Sequence, residues 1–201
     1  MLLITAVFSW LPSISLSGTF EKNCECLEVS FLDVGQGDAI LIETPDGFEM
    51  LVDGGRDSSV LRELSKQRSF FDRDIDVVVS THPDLDHVAG LVDVLKRYTV
   101  GTILMTTNEG ESGAAAAFAA AAPNEDSQII LADAGQVFKL GASTTVQVFS
   151  PTGDESKLES NTASIVLRVV YGNTSFMLTG DAPQEIEDFL VRTYGSQLDS
   201  D

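Results

Sequence analysis

Within Thr81-His82-Pro83-Asp84-Leu85-Asp86-His87 stand both histidines of the 201-residue chain, with two aspartates between them. Imidazole nitrogens and carboxylate oxygens crowded so closely on irregular backbone can converge on a metal ion. Uncompensated, Asp84 and Asp86 would repel each other, and a divalent cation removes that cost. The bland alternative is an acidic surface loop with solvated histidines. What precedes the loop argues against it: Asp76-Val77-Val78-Val79 reads as a buried, β-branched strand. Loops at the ends of such strands are where α/β folds place their chemistry.

The surrounding elements must position this loop. Leu27-Val29-Phe31 alternates as a strand does, and Ala39-Ile40-Leu41-Ile42 continues it beyond the stretch Asp33-Val34-Gly35-Gln36-Gly37-Asp38. Pro45-Asp46-Gly47 then predicts a hairpin into Met50-Leu51-Val52, which ends at Asp53-Gly54-Gly55. As a phosphate cradle Gly35-x-Gly37 is weak, because no helix follows. It reads better as a tight loop presenting Gln36 and Asp38 toward the histidines, with a plain turn as the alternative for Asp38. Ser58 or Ser59 caps a predicted helix carrying Val60, Leu61 and Leu64, and a second helix carries Val88, Leu91, Val92 and Leu95. Val100 to Met105 reads as a strand, and alanine-dense 114–122 as a helix. Ile129–Leu131 and Val137–Leu140 flank Asp133-Ala134-Gly135, which predicts another hairpin. Val146–Phe149 is a further strand. Ile165–Tyr171 and Thr174–Leu178 pair through Gly172-Asn173, and Pro183 opens a helix with Ile186, Phe189 and Leu190.

Thr81 to His87 resembles the His-x-His-x-Asp-His signature of metallo-β-lactamase-fold hydrolases, with Asp84 where the second histidine stands. Together with Asp33–Ala39, Asp53-Gly54-Gly55 and Ser175-Phe176-Met177-Leu178-Thr179-Gly180-Asp181-Ala182, in that order, it is similar to the soluble domain of ComEC-type competence proteins. The similarity runs from about Leu27 to about Tyr194. It implies an α/β fold, the four-layer αββα sandwich, and a metal-dependent phosphodiesterase or nuclease linked to DNA uptake. By resemblance, His82 and Asp84 bind one divalent ion, Asp86 and His87 a second, and Asp181 bridges them, with Asp86 also the catalytic residue. Asp53 is a candidate acceptor for a histidine ring N–H, or alternatively caps the turn with Gly54. Asp38, Asn161 and Ser164 are further candidates to support the ligands. Three carboxylates and two imidazoles suit manganese or magnesium better than an all-histidine zinc site does, while zinc also takes such ligands; two divalent ions, zinc or manganese, are expected. Two other functions compete: a non-catalytic remnant or interaction domain of this fold, and a small-molecule metallo-hydrolase.

Two departures qualify the resemblance. Where related hydrolases supply a further histidine, this chain reads Glu159-Ser160-Asn161-Thr162-Ala163-Ser164, as ComEC-type domains tend to. The family also continues past the last helix into a paired-histidine motif, and this sequence stops at Asp201. The implied domain, 27–201, is therefore expected to be incomplete at its C-terminus and at most feebly active alone.

A chain this long can bury a full single-domain core. Its net charge of −19 repels phosphate backbones and anionic lipid unless cations intervene. Single-stranded DNA is nonetheless the partner implied by the resemblance. Residues 1–18 are apolar and uncharged, broken at Pro12: a leader or the end of a transmembrane helix, with a buried strand as the alternative. Either favoured reading predicts an extracytoplasmic domain, membrane-anchored or secreted, behind a linker at 19–26. Cys24 and Cys26 sit in that linker, poorly spaced to bridge each other without strain and lacking the partners a zinc site needs; they read as linker residues with no catalytic role, with oxidation left open.

Overall fold

The computed structural model describes residues 25–69, 71–124 and 127–201. Six strands form one sheet in sequence order: β1 (Glu28–Phe31), β2 (Ile40–Glu43), β3 (Glu49–Val52), β4 (Asp74–Val79), β5 (Thr99–Met105) and β6 (Gln128–Leu131). The first three are antiparallel neighbours, and β3 to β6 run parallel. A second, antiparallel sheet orders β10 (Thr174–Leu178), β9 (Val166–Tyr171), β8 (Thr144–Ser150) and β7 (Val137–Leu140). Among the described residues there are four α-helices: α1 (Ser59–Gln67), α2 (Leu85–Arg97), α3 (Gly113–Ala121) and α4 (Gln184–Tyr194).

The two-residue period of the strands divides their side chains between layers. Leu41, Leu51, Val78 and Ile103 point to one face of the larger sheet and pack on Val60 and Leu64 of α1, Leu91 and Val94 of α2, and Phe118 of α3. Their neighbours Ile42, Met50, Val79 and Leu104 point the other way, onto Val146, Val148, Leu167 and Val169 of the smaller sheet. On that sheet's outer face Phe149 and Val166 meet Leu190 of α4. Helices, sheet, sheet and helix make the αββα sandwich. Both faces of the carboxyl-terminal parts of β3 and β4 are covered, which is why Met50–Val52 and Val77–Val79 read as continuous apolar runs.

Local signals misled at two places. Asp133–Gly135 does not close a hairpin: β6 pairs with β5 and β7 with β8, in different sheets. The turn carries the chain across the sandwich, and its amides are taken by the smaller sheet, Ala134 N donating to Pro151 O (2.7 Å) and Gly135 N to Val148 O (2.9 Å). Ser58 precedes α1 without a side-chain cap, and Asp57 Oδ1 instead accepts from Ser59 N at 2.8 Å. Pro183 does open α4, standing at its capping position.

Cys26 is disulfide-bonded, the oxidised state that the sequence leaves open. The apolar segment 1–18 and Cys24 lie outside the described residues. Among those described, no helix is long and apolar enough to cross a membrane.

Candidate metal centre

The carboxyl ends of β3 and β4 lie side by side, and the chain leaving each builds half of the site. Asp53 follows β3 with φ of 57°, a conformation that aspartate tolerates better than most residues. Its amide donates to Val79 O at 2.9 Å, tying it to the end of β4. Its carboxylate, 1% exposed, accepts from Thr81 N (2.8 Å), Thr81 Oγ1 (2.6 Å) and His87 Nδ1 (2.9 Å). A threonine hydroxyl has one proton, and Thr81 gives it to Asp53. His82 Nδ1, 3.0 Å from the same hydroxyl, must therefore be the donor in that contact. Both imidazoles thus engage through Nδ1, which leaves Nε2 to face the site.

Glycines let the helix that carries His87 come this close. Gly54 N donates to His87 O at 2.8 Å and Gly90 N to Gly55 O at 3.0 Å. A Cβ on Gly90 would fall 1.8 Å from Gly54 O. Consecutive residues of a helix diverge by about 100°, so the first turn of α2 points His87 inward and Asp86 elsewhere.

The third arm comes from the smaller sheet. Asp181 lies in the Thr179–Ala182 link between β10 and α4, and Gly180, at φ of 51°, packs on Thr81. His87 Nε2 is 3.4 Å from Asp181 Oδ1, and the His82 and His87 ring centroids are 4.1 Å apart. One donor atom each from His82, His87 and Asp181 lie within 4.8 Å of one another. Asp84 Oδ2 is 3.9 Å from His82 Nε2, while its Oδ1 accepts from Ser160 Oγ. Asp86 is not drawn in: its Oδ2 accepts from Gln36 Nε2 at 3.0 Å, and Gln36 Oε1 accepts from Arg56 at 2.6 Å.

The electrostatics follow from burial and these neighbours. Burial lowers the pKa of His82, reinforced by His87 and opposed by Asp53, Asp181 and Asp84. Burial pulls His87 down too, but its hydrogen bond to Asp53 and the charges of Asp53, Asp181 and Asp38 carry it up to about 9. Asp38 is pushed up by partial burial, against the pull of His87 and with Asp53 and Asp181 adding repulsion. It belongs to the same electrostatic group.

Asn161 and Ser164 hold a different place. Ile165 N donates to Thr81 O at 2.9 Å, which binds their turn to the site. Asn161 Oδ1 and Ser164 Oγ are buried and hydrogen-bond to none of the donors above. Ser160 and Thr81 were not singled out from the sequence, although both lie next to residues that were.

The donors fit a divalent cation. His82 is completely buried, and its Nε2 has no hydrogen-bond partner. Leaving such a group unpaired costs about 1–3 kcal/mol, and a cation coordinated there would remove that cost. One imidazole beside another and a carboxylate is a common ligand chemistry for zinc, iron and manganese.

A family model, the metallo-beta-lactamase superfamily, matches residues 32–198. Solved structures share the fold at low identity. CmlA, a diiron beta-hydroxylase from Streptomyces venezuelae, superposes with a TM-score of 0.51 at 18% identity over 84% of this chain. The chain spans only 33% of that protein's length. A metallo-beta-lactamase from Cronobacter sakazakii with a HARLDQ motif, a mutant form, gives 0.53 at 16% identity over 86% of this chain and 73% of its own. Zn(2+)-bound PqqB from Methylobacterium extorquens gives 0.51 at 16% identity, over 74% and 56%. No curated protein sequence matches. With its two sheets between helices and a family match over most of its length, the chain belongs to the metallo-beta-lactamase superfamily.

Proposed function

We propose that this chain is a metal-dependent phosphodiesterase domain of the ComEC type, acting on single-stranded DNA during uptake. The observation that carries the reading is the convergence of His82, His87 and Asp181 around an unpartnered imidazole nitrogen, with Asp84 rather than a histidine beside it. Two carboxylates beside two imidazoles suit a hard cation, and with it phosphoester chemistry over lactam opening, better than an all-histidine set does. When bound, the cation supplies Lewis-acid polarisation and a water nucleophile at neutral pH. His82, Asp84, His87 and Asp181 would hold it. Asp86 would serve a second ion after leaving Gln36. Asp53 keeps the His87 ring in place through Nδ1 and so commits Nε2 to the centre.

In the same reading, residues 1–18 are a leader or the end of a transmembrane helix, and the domain at 27–201 works outside the cytoplasm, membrane-anchored or secreted. The −19 charge makes cations part of substrate binding, since they must screen two polyanions from each other. The test is hydrolysis of single-stranded DNA with added Mn²⁺ or Zn²⁺, by this chain and by Asp181→Ala. Metal-dependent cleavage lost in the variant is expected. Cleavage of lactones or thioesters without cleavage of DNA would overturn the assignment in favour of a small-molecule hydrolase.

A further inference from the structure

Asp84 stands at the capping position of α2, and its side chain caps nothing. Aspartate is among the residues best suited to accept the free N–H groups of a helix start, so its carboxylate has been turned from a favourable use. What turns it is Ser160, remote in sequence, whose Oγ donates to Asp84 Oδ1. The other oxygen, Oδ2, is thereby left 3.9 Å from the unpartnered Nε2 of His82.

The platform under Ser160 is well fixed. Ala163 N donates to Ser160 O at 3.0 Å and Ser164 N to Asn161 O at 3.1 Å, closing a 3₁₀ turn. Ile165 N then donates to Thr81 O at 2.9 Å. Thr81 is the residue whose hydroxyl contacts both Asp53 and His82. The donor to Asp84 and the ring of His82 are therefore referenced to one residue, although they come from different sheets.

We propose that Ser160 is a positioning residue that aims Asp84 Oδ2, together with His82 Nε2, at a divalent cation. The inference rests on the metal-centre reading above. Without the Ser160 hydroxyl the carboxylate is free to swing back and cap α2, and the ligand pair separates. Support of this kind for a metal ligand is typically worth about 10–100-fold in affinity.

The experiment is calorimetric titration of Mn²⁺ into the wild-type chain, Ser160→Ala, Ser160→Thr, Asp84→Asn and the Ser160→Ala/Asp84→Asn pair, with Co²⁺ absorption spectra as a second readout. Ser160→Ala should weaken binding about 10-fold or more and alter the Co²⁺ spectrum, while Ser160→Thr, which keeps the hydroxyl, restores both. In the Asp84→Asn background the Ser160→Ala change should have no further effect. Equal affinity in wild type and Ser160→Ala would overturn the proposal. An undiminished Ser160→Ala effect in the Asp84→Asn background would also overturn it, by showing that the serine acts through the fold alone. Absence of cation binding by the wild-type chain would remove the metal-centre reading itself, and this inference with it.

Discussion

Asp53 Oδ2 lies 2.9 Å from His87 Nδ1, and the residue that makes this contact is held at φ of 57° on the end of β3. An unusual backbone conformation and a buried charge are thus joined at the residue that orients one imidazole and, through Thr81, the other. Asp53→Asn keeps the shape and tolerates the backbone, but loses the charge and must offer an amide to one of three donors. It should destabilise the fold by about 1–3 kcal/mol and weaken Mn²⁺ or Zn²⁺ binding about 10–100-fold. Asp53→Ala should unfold more readily still, since alanine pays about 1–2 kcal/mol for the left-handed backbone. Thermal unfolding with calorimetry checks both; an Asn variant that binds metal like wild type would refute the role.

Gly35 and Gly37 look equivalent in sequence and are not. Both have positive φ, 83° and 86°, but a Cβ at Gly35 meets nothing within 4 Å, whereas one at Gly37 would fall 1.6 Å from Asp86 O. Gly35→Ala should cost only backbone strain, about 1–2 kcal/mol. Gly37→Ala must also push the first turn of α2 away, adding about 1–3 kcal/mol and disturbing cation binding. Equal melting temperatures for the two variants would contradict the contact.

At the opposite end of β3, Glu49 is buried beside Arg68, with Glu49 Oε2 and Arg68 Nη2 2.5 Å apart. Burial raises the Glu49 pKa from 4.5 to about 7 despite the guanidinium, with Asp72 and Glu43 adding repulsion. Between those two values the folded chain holds a proton that the unfolded chain has released. Stability from this group is therefore fully present below about pH 4.5 and declines as pH rises toward 7, by on the order of 3 kcal/mol. Unfolding midpoints measured across that window should fall for wild type and lose this component in Glu49→Gln. An identical slope in both would rule Glu49 out as its source.

Among the carboxylates of the site, position predicts rank. Asp181 Oδ1 is within the converging group, whereas Asp86 Oδ2 is engaged by Gln36. Asp181→Ala should therefore weaken Mn²⁺ binding more than Asp86→Ala does. Calorimetry giving the reverse order would overturn the ranking by position and make Asp86 the stronger ligand.

The sheets were legible because alternation and continuous apolar runs record which faces of a strand are buried, as Leu51 and Met50 do by pointing to opposite layers. The 129–140 segment was not, because a turn signal says that the chain reverses, not which sheet receives it. Around the site, residue types marked the histidine loop, and Asp53 had two readings of which the His87 contact is one. The direction of Asp86 was invisible: it depends on where α2 starts, and one residue of shift rotates a side chain by about 100°. Ser160 was equally hidden, since a serine in a polar loop carries no spacing that ties it to Asp84.

Asp84 offers the sharpest test of what the site selects. Its oxygen is a hard donor facing His82 Nε2 at 3.9 Å. Imidazole in its place would give the converging group a third nitrogen donor and shift it toward zinc. Room for the exchange exists, because the Asp84 side chain is 43% exposed and would not force a buried ring into a filled core. The substitution removes the acceptor of the Ser160 bond but no core packing. Asp84→His should then raise the preference for Zn²⁺ over Mn²⁺ by about 10-fold or more, equivalent to roughly 1.4 kcal/mol, with little change in unfolding temperature. Competition titration of the two ions against wild type and variant measures the ratio directly. A ratio that stays constant, or moves toward manganese, would show that Asp84 does not contribute to the cation's coordination.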